Sequence, residues 1–139
     1  MTRANHGHIE DDHQKAIMQW ARSTRLKPLY GVKGFIADYM FAIPNGGKRS
    51  PREGARLKAQ GVLAGVPDMM LAIPRGQYSG LFIELKRPKV QGKPNPSTSI
   101  AQQEMIIKLN EVGYLAVVCY GYDQTVTCVN DYLNNRFKF

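Results

Sequence analysis

Two short apolar-rich runs decide how this chain is read. They are Pro67-Asp68-Met69-Met70-Leu71-Ala72-Ile73 and Leu81-Phe82-Ile83-Glu84-Leu85-Lys86, joined by Pro74-Arg75-Gly76-Gln77-Tyr78-Ser79-Gly80. A link dense in Pro, Gly and Ser between two such runs signals a β-hairpin. Side chains alternate along a strand. Met69, Leu71 and Ile73 therefore share one face with Leu81, Ile83 and Leu85, and Asp68 and Met70 share the other with Phe82, Glu84 and Lys86. If the link turns near Gln77, Asp68 lies opposite Lys86 and Glu84 sits one pair away on the diagonal, within roughly 8 Å.

Two carboxylates at close range repel and lose hydration, which raises the proton affinity of one of them. A hard divalent cation removes the conflict, because Mg²⁺ takes a few carboxylate oxygens with waters and phosphate oxygens. Such a cation acidifies water and neutralises charge on a phosphodiester, and a nearby lysine can orient or deprotonate that water. The same three residues could instead form a structural ion pair of Lys86 with Glu84 or Asp68, and geometry alone leaves both readings open.

Outward from the hairpin, Ile9, His13, Ala16, Ile17, Trp20 and Ala21 recur at helical spacing and predict a first helix over Ile9–Thr24, closed by Lys27-Pro28. Asp38–Ile43 reads as a strand ended by the turn Pro44-Asn45-Gly46-Gly47. Ser50–Gln60 reads as a short basic helix with Ser50 as N-cap and Pro51 in its first turn. After a polar loop, Lys89–Pro96, come a helix over Ser97–Val112, an apolar strand over Tyr114–Tyr120 and a last helix from Asp123 to Asn134. The order predicts an α/β fold with a mixed sheet flanked by helices.

At 139 residues the chain fits a single domain, 1–139, with residues 1–8 expected to be a mobile terminus. The start lacks the apolar stretch of a secretory signal and no run reaches membrane length, so a cytoplasmic domain is expected. Cys119 and Cys128 are expected to be buried, reduced thiols. His6, His8 and His13 lie in or near the terminus and are not expected to form a metal site. The formal net charge is +8. More than half of the cations fall between Pro44 and Lys93, where the acids are only Glu53, Asp68 and Glu84. Such a surplus either keeps the protein soluble or fits a polyanion, most often nucleic acid.

Gly65-Val66-Pro67-Asp68, fifteen residues and then Glu84-Leu85-Lys86 make a PD-(D/E)xK pattern, which by itself is weak. Together with Pro44-Asn45-Gly46-Gly47, Lys58 with Gly61, Ser99 with Gln102, and Leu109–Gly113, it resembles the VRR-NUC family of virus-type replication and repair nucleases, from about Ile9 to Leu133. That family includes small stand-alone phage and bacterial proteins and the nuclease domain of a Fanconi-anaemia-associated enzyme.

The resemblance implies a restriction-endonuclease-like PD-(D/E)xK core. It implies Asp68 and Glu84 as ligands of Mg²⁺ or Mn²⁺, helped by the Leu85 main-chain carbonyl, and Lys86 serving the attacking water. Gln102 matches the glutamine on the helix after the core, with Ser99 as its motif partner. Glu10 matches an acid that the first helix brings to the metal, and Gln14, one turn on, is placed to support it. Asn45, Lys48, Arg49, Lys58 and Ser99 are candidate DNA contacts; the basic ones would bind phosphate, which gives affinity without sequence readout.

The expected activity is an endonuclease that leaves a 5′-phosphate. With no appended reader module, structure-selective cutting of branched DNA is expected over sequence recognition. Small stand-alone members resemble Holliday-junction resolvases, which need two active sites, hence an expected homodimer. Phe35, Tyr39, Phe41, Phe137 and Phe139 are interface or core candidates. Two rival readings are a catalytically silent nucleic-acid-binding module and a basic phage interaction protein with an accidental motif. The intact Asp68, Glu84 and Lys86 argue against the first.

Overall fold

The computed structural model describes residues 3–28, 31–44 and 50–137, with side chains described from residue 8 onward. Four strands form one mixed sheet in the order β1 (Met40–Ala42), β2 (Met69–Leu71), β3 (Leu81–Lys86), β4 (Leu115–Tyr120). The first two pairings are antiparallel, and β3 runs parallel to β4. That parallel pair requires a crossover, which α3 (Ile100–Glu111) supplies.

One face of the sheet is covered by α1 (Arg3–Ser23) and α4 (Gly121–Leu133). There Met69, Leu71, Leu81, Ile83 and Leu85 meet Ile17 and Ala21 of α1 and Val129, Tyr132 and Leu133 of α4. This is the face assigned from alternation. Tyr132 anchors it with a hydroxyl that donates to the Ile73 carbonyl at 2.7 Å. On the other face α3 packs beside β4, and Asn110 uses both ends of its amide to pair the N–H and C=O of Ala116 on that edge strand. The remaining helix, α2 (Pro51–Ala59), buries no residue; Ser50 caps it by accepting the Glu53 N–H at 3.2 Å.

The elements match the expected order; β3 has its expected bounds and the other three strands are shorter. Ile36–Asp38 is a 3-10 turn, so β1 starts at Met40 rather than Asp38. The helix α1 starts at Arg3, ahead of Ile9, because its polar first turns carry no apolar stripe to read. The expected Ser97 start of α3 moves to Ile100, since Ser99 is its N-cap, and α4 starts at Gly121.

The hairpin register differs from expectation. Met69 pairs with Ile83 and Leu71 with Leu81, so continuing the ladder by one residue sets Asp68 across from Glu84, not Lys86. The cause lies in the link, and the shift is of two residues. Arg75 and Tyr78 close a turn centred between Gly76 and Gln77 rather than on Gln77, and the chain slips by one more residue between that bridge and the ladder. Parity is preserved and the partner changes.

Tyr39 and Phe137 pack against the core, Phe137 edge-on to Tyr78 and Tyr132. Phe35 stacks under the Arg25 guanidinium, 4.7 Å from ring centre. Phe41 alone of these is largely exposed, at 44% on β1; Phe139 lies outside the described residues. Cys119 and Cys128 are free and buried. Among the described residues no helix is long and apolar enough to cross a membrane.

Candidate active site

The two acids of the hairpin converge where β2 begins and β3 ends. The Leu85 N–H donates to Asp68 Oδ2 at 2.7 Å, which fixes the Asp68 carboxylate against β3. Glu84 is 2% exposed, and its Oε1 has no hydrogen-bond partner among the described residues. Burial pushes the Glu84 carboxyl up to about 9, and the hydrogen bond and charge of Asp68 reinforce the shift; Lys86 opposes it and Glu10 adds to it. A buried carboxylate with an orphan oxygen, beside a half-buried second one, is an arrangement that a proton or a cation must neutralise.

Glu10 joins this pair from α1. Its carboxylate accepts the main-chain N–H of Arg87, and it feels the charges of Lys86 and Asp68; burial raises its proton affinity above the ordinary range. On the opposite side, Lys86 Nζ donates to Gln102 Oε1 at 3.1 Å. That oxygen also takes the Ser99 N–H at 2.8 Å, while Ser99 Oγ accepts the Gln102 N–H at 3.1 Å. Ser99 and Gln102 thus form a reciprocal capping box at the start of α3, and the same glutamine holds the lysine. The Ser99 hydroxyl proposed from sequence as a DNA contact is engaged as this cap, though the residue also lines the cleft.

A cleft of about 870 Å³ opens over the pair, with Asp68, Glu84, Gln102, Lys58 and Gly65 among its walls. Gly65 explains part of its motif. Its φ of 84° lies in the left-handed region, and a Cβ there would overlap the Ala101 carbonyl. Only glycine lets the loop before Pro67-Asp68 pass so close to the start of α3.

The structure therefore brings Asp68, Glu84, Lys86, Gln102 and Glu10 together, with Lys58 and Ser99 along the cleft. Gln14 lies apart, lining a shallow cleft with Asp11 and Ala42. Asn45, Lys48 and Arg49 lie outside the described residues, as does the His6 side chain. His8 is exposed, and His13 Nδ1 accepts the Tyr122 N–H at 2.8 Å, tying α1 to the start of α4. Reading the sequence missed the Arg87 and Leu85 amides that orient Glu10 and Asp68, because main-chain donors leave no trace in residue type.

Among the described residues no three His, Cys, Asp or Glu side chains are gathered closely enough to cage a metal unaided. Mg²⁺ needs only one or two carboxylates when water and phosphate oxygens complete its shell. Asp68 and Glu84, with the orphan Glu84 oxygen, fit such an ion.

A mixed sheet carrying paired acids and a lysine at one end of a hairpin, where β2 begins and β3 ends, defines a nuclease-type α/β domain. The chain belongs to the VRR-NUC domain family, whose model matches residues 9–123. It is similar to a solved structure described as a VRR_NUC domain protein, at 32% identity and a TM-score of 0.73, covering 90% of this chain and 88% of that one. No curated protein matches the chain.

Proposed function

We propose that this protein is a divalent-metal-dependent DNA endonuclease, selective for branched DNA and acting as a homodimer in the manner of a Holliday-junction resolvase. The observation that carries the reading is the buried Glu84 carboxyl beside Asp68, lining the cleft with one oxygen that has no partner among the described residues. Mg²⁺ or Mn²⁺ would be held by Asp68, Glu84 and the Leu85 main-chain carbonyl, with Glu10 directly or through water. When bound, the ion would supply charge neutralisation and a more acidic water.

The chain's own groups do the rest. Lys86, held by Gln102 Oε1, orients the attacking water and favours its hydroxide form by its charge, and the proton released passes to solvent. The Leu85 amide keeps Asp68 from rotating away. Lys58, exposed on the cleft wall, meets phosphate oxygens, and the cationic surroundings favour the extra negative charge of the transition state. Departure of the 3′-oxygen leaves a 5′-phosphate, the polarity of the family resemblance. A symmetric junction needs two such sites, and Phe41, exposed on strand β1, offers apolar surface for a second copy.

The test is incubation with labelled linear, flap, fork and four-way-junction DNA, with Mg²⁺, Mn²⁺ or chelator. Metal-dependent paired nicks in the four-way junction are expected. Equal cutting of all forms refutes the structural selectivity, and cutting in chelator or none at all refutes the metal-dependent nuclease.

A further inference from the structure

A second cleft, of about 630 Å³, is lined by Ile9 and Arg87, the chain neighbours of Glu10 and Lys86, so it begins where the candidate active site ends. The rest of its wall comes from the loop after β3. Pro88, Val90 and Pro94 give it an apolar lining, and Lys93 stands beside them. A turn closed by the Lys93 N–H on the Val90 carbonyl at 3.1 Å brings the apolar residue and the cation together. The loop is pinned at its root, where the Lys89 ammonium sits 4.4 Å from the centre of the Tyr120 ring. From Arg87 to Ser99 the sequence has no acid, and Val90 is 47% exposed.

A paired base in a duplex presents its edge, and its faces are stacked away. An apolar hollow flanked by cations is complementary to something else: a planar apolar body joined to an anion. An unstacked nucleotide has that form, with its base against apolar or aromatic side chains and its phosphates on basic ones. Resting on the nuclease reading above, we propose that the cleft of Ile9, Pro88, Val90 and Pro94 receives an unpaired nucleotide of the DNA strand that continues past the scissile phosphate, with Arg87 and Lys93 on its phosphates. Preference for flaps, forks and junction arms opened by a base pair over continuous duplex then arises within one domain, because only DNA with an unpaired nucleotide fills both clefts.

Fluorescence anisotropy in chelator tests this with two labelled probes: a blunt DNA hairpin, and the same hairpin carrying a short oligothymidine tail. The full chain is expected to bind the tailed hairpin about fivefold more tightly or better, the low end of what stacking a base on an aromatic ring gives, since the walls here are aliphatic. Val90→Glu, on an exposed turn, is expected to remove that gain. Lys93→Ala is expected to lower the salt dependence of tailed-hairpin binding by about one phosphate contact. A tail that adds nothing, or a gain that survives Val90→Glu, overturns the proposal. If the wild-type chain still cuts DNA with Mg²⁺ in that case, this inference alone fails; if it neither binds nor cuts either hairpin, the nuclease reading fails with it.

Discussion

Lys86 Nζ and Gln102 Oε1 stand 3.1 Å apart, and the same oxygen caps α3 by accepting the Ser99 N–H. One side chain therefore joins the register of a helix to the position of the lysine on β3. Gln102→Leu is expected to lower kcat on the order of 10- to 100-fold by releasing Lys86, with KM little changed. It also removes half of the capping box, costing about 1 kcal/mol, read as a fall in Tm of roughly 4 °C. Gln102→Glu keeps an acceptor for both donors and is expected to recover most of that Tm. Steady-state kinetics and thermal melts of the three proteins check this, and an unchanged kcat in Gln102→Leu contradicts it.

The Glu84 carboxyl sets how the metal-free protein responds to pH. Its proton affinity is raised in the fold, so from about pH 4.5 up to about 9 the folded state holds a proton that the unfolded chain has released. Stability contributed by this group is therefore present at low pH and lost as pH rises through that window. Glu84→Gln removes the ionisation without changing shape. It is expected to raise Tm in chelator by about 4 °C or more at pH 8, and by less at pH 5. Equal changes at the two pH values contradict the shift.

Mg²⁺ must displace that proton to use both Glu84 oxygens. Apparent Mg²⁺ affinity is accordingly expected to rise about tenfold per pH unit between pH 6 and 8. The Mg²⁺-induced increase in Tm, followed across that range, measures it. A pH-independent increase contradicts the account.

Gly65 holds the loop of the Pro67-Asp68 motif against the first turn of α3. Gly65→Ala combines a left-handed backbone with an overlap on the Ala101 carbonyl. It is expected to cost more than about 1 kcal/mol and to lower activity beyond the loss of folded protein. Circular-dichroism melts and turnover per folded molecule separate the two effects, and wild-type values in both contradict the role given to Gly65.

Much of this was legible in residue pattern. Alternation in Leu81–Lys86 placed Glu84 and Lys86 on the face away from Ile83, as observed, because one face of the sheet must meet α1 and α4. Helical spacing finds α3 but starts it at Ser97. The Ser99–Gln102 capping box that sets the start at Ile100 enters only as a motif pair, although such a cap is a local device written in local sequence. The partner of Asp68 was not legible. A turn centred between Gly76 and Gln77 rather than on Gln77, followed by a one-residue slip, depends on backbone geometry that several sequences share; together they shift the partner by two residues, from Lys86 to Glu84. Nor were the main-chain donors from Leu85 and Arg87, which every non-proline residue carries. The apolar hollow beside Val90 was equally hidden, because a polar, proline-bearing loop shows its concavity only once folded.

The most direct measurement is Mn²⁺ titration followed by the electron paramagnetic resonance signal of the free ion, for the wild-type chain, Glu84→Gln and Asp68→Asn at pH 8. The account predicts that the wild type removes Mn²⁺ from solution saturably, that each variant weakens binding by tenfold or more, and that Mg²⁺ competes for the same site. Equal Mn²⁺ binding by all three proteins, or none by the wild type, would contradict a metal centre built on Asp68 and Glu84.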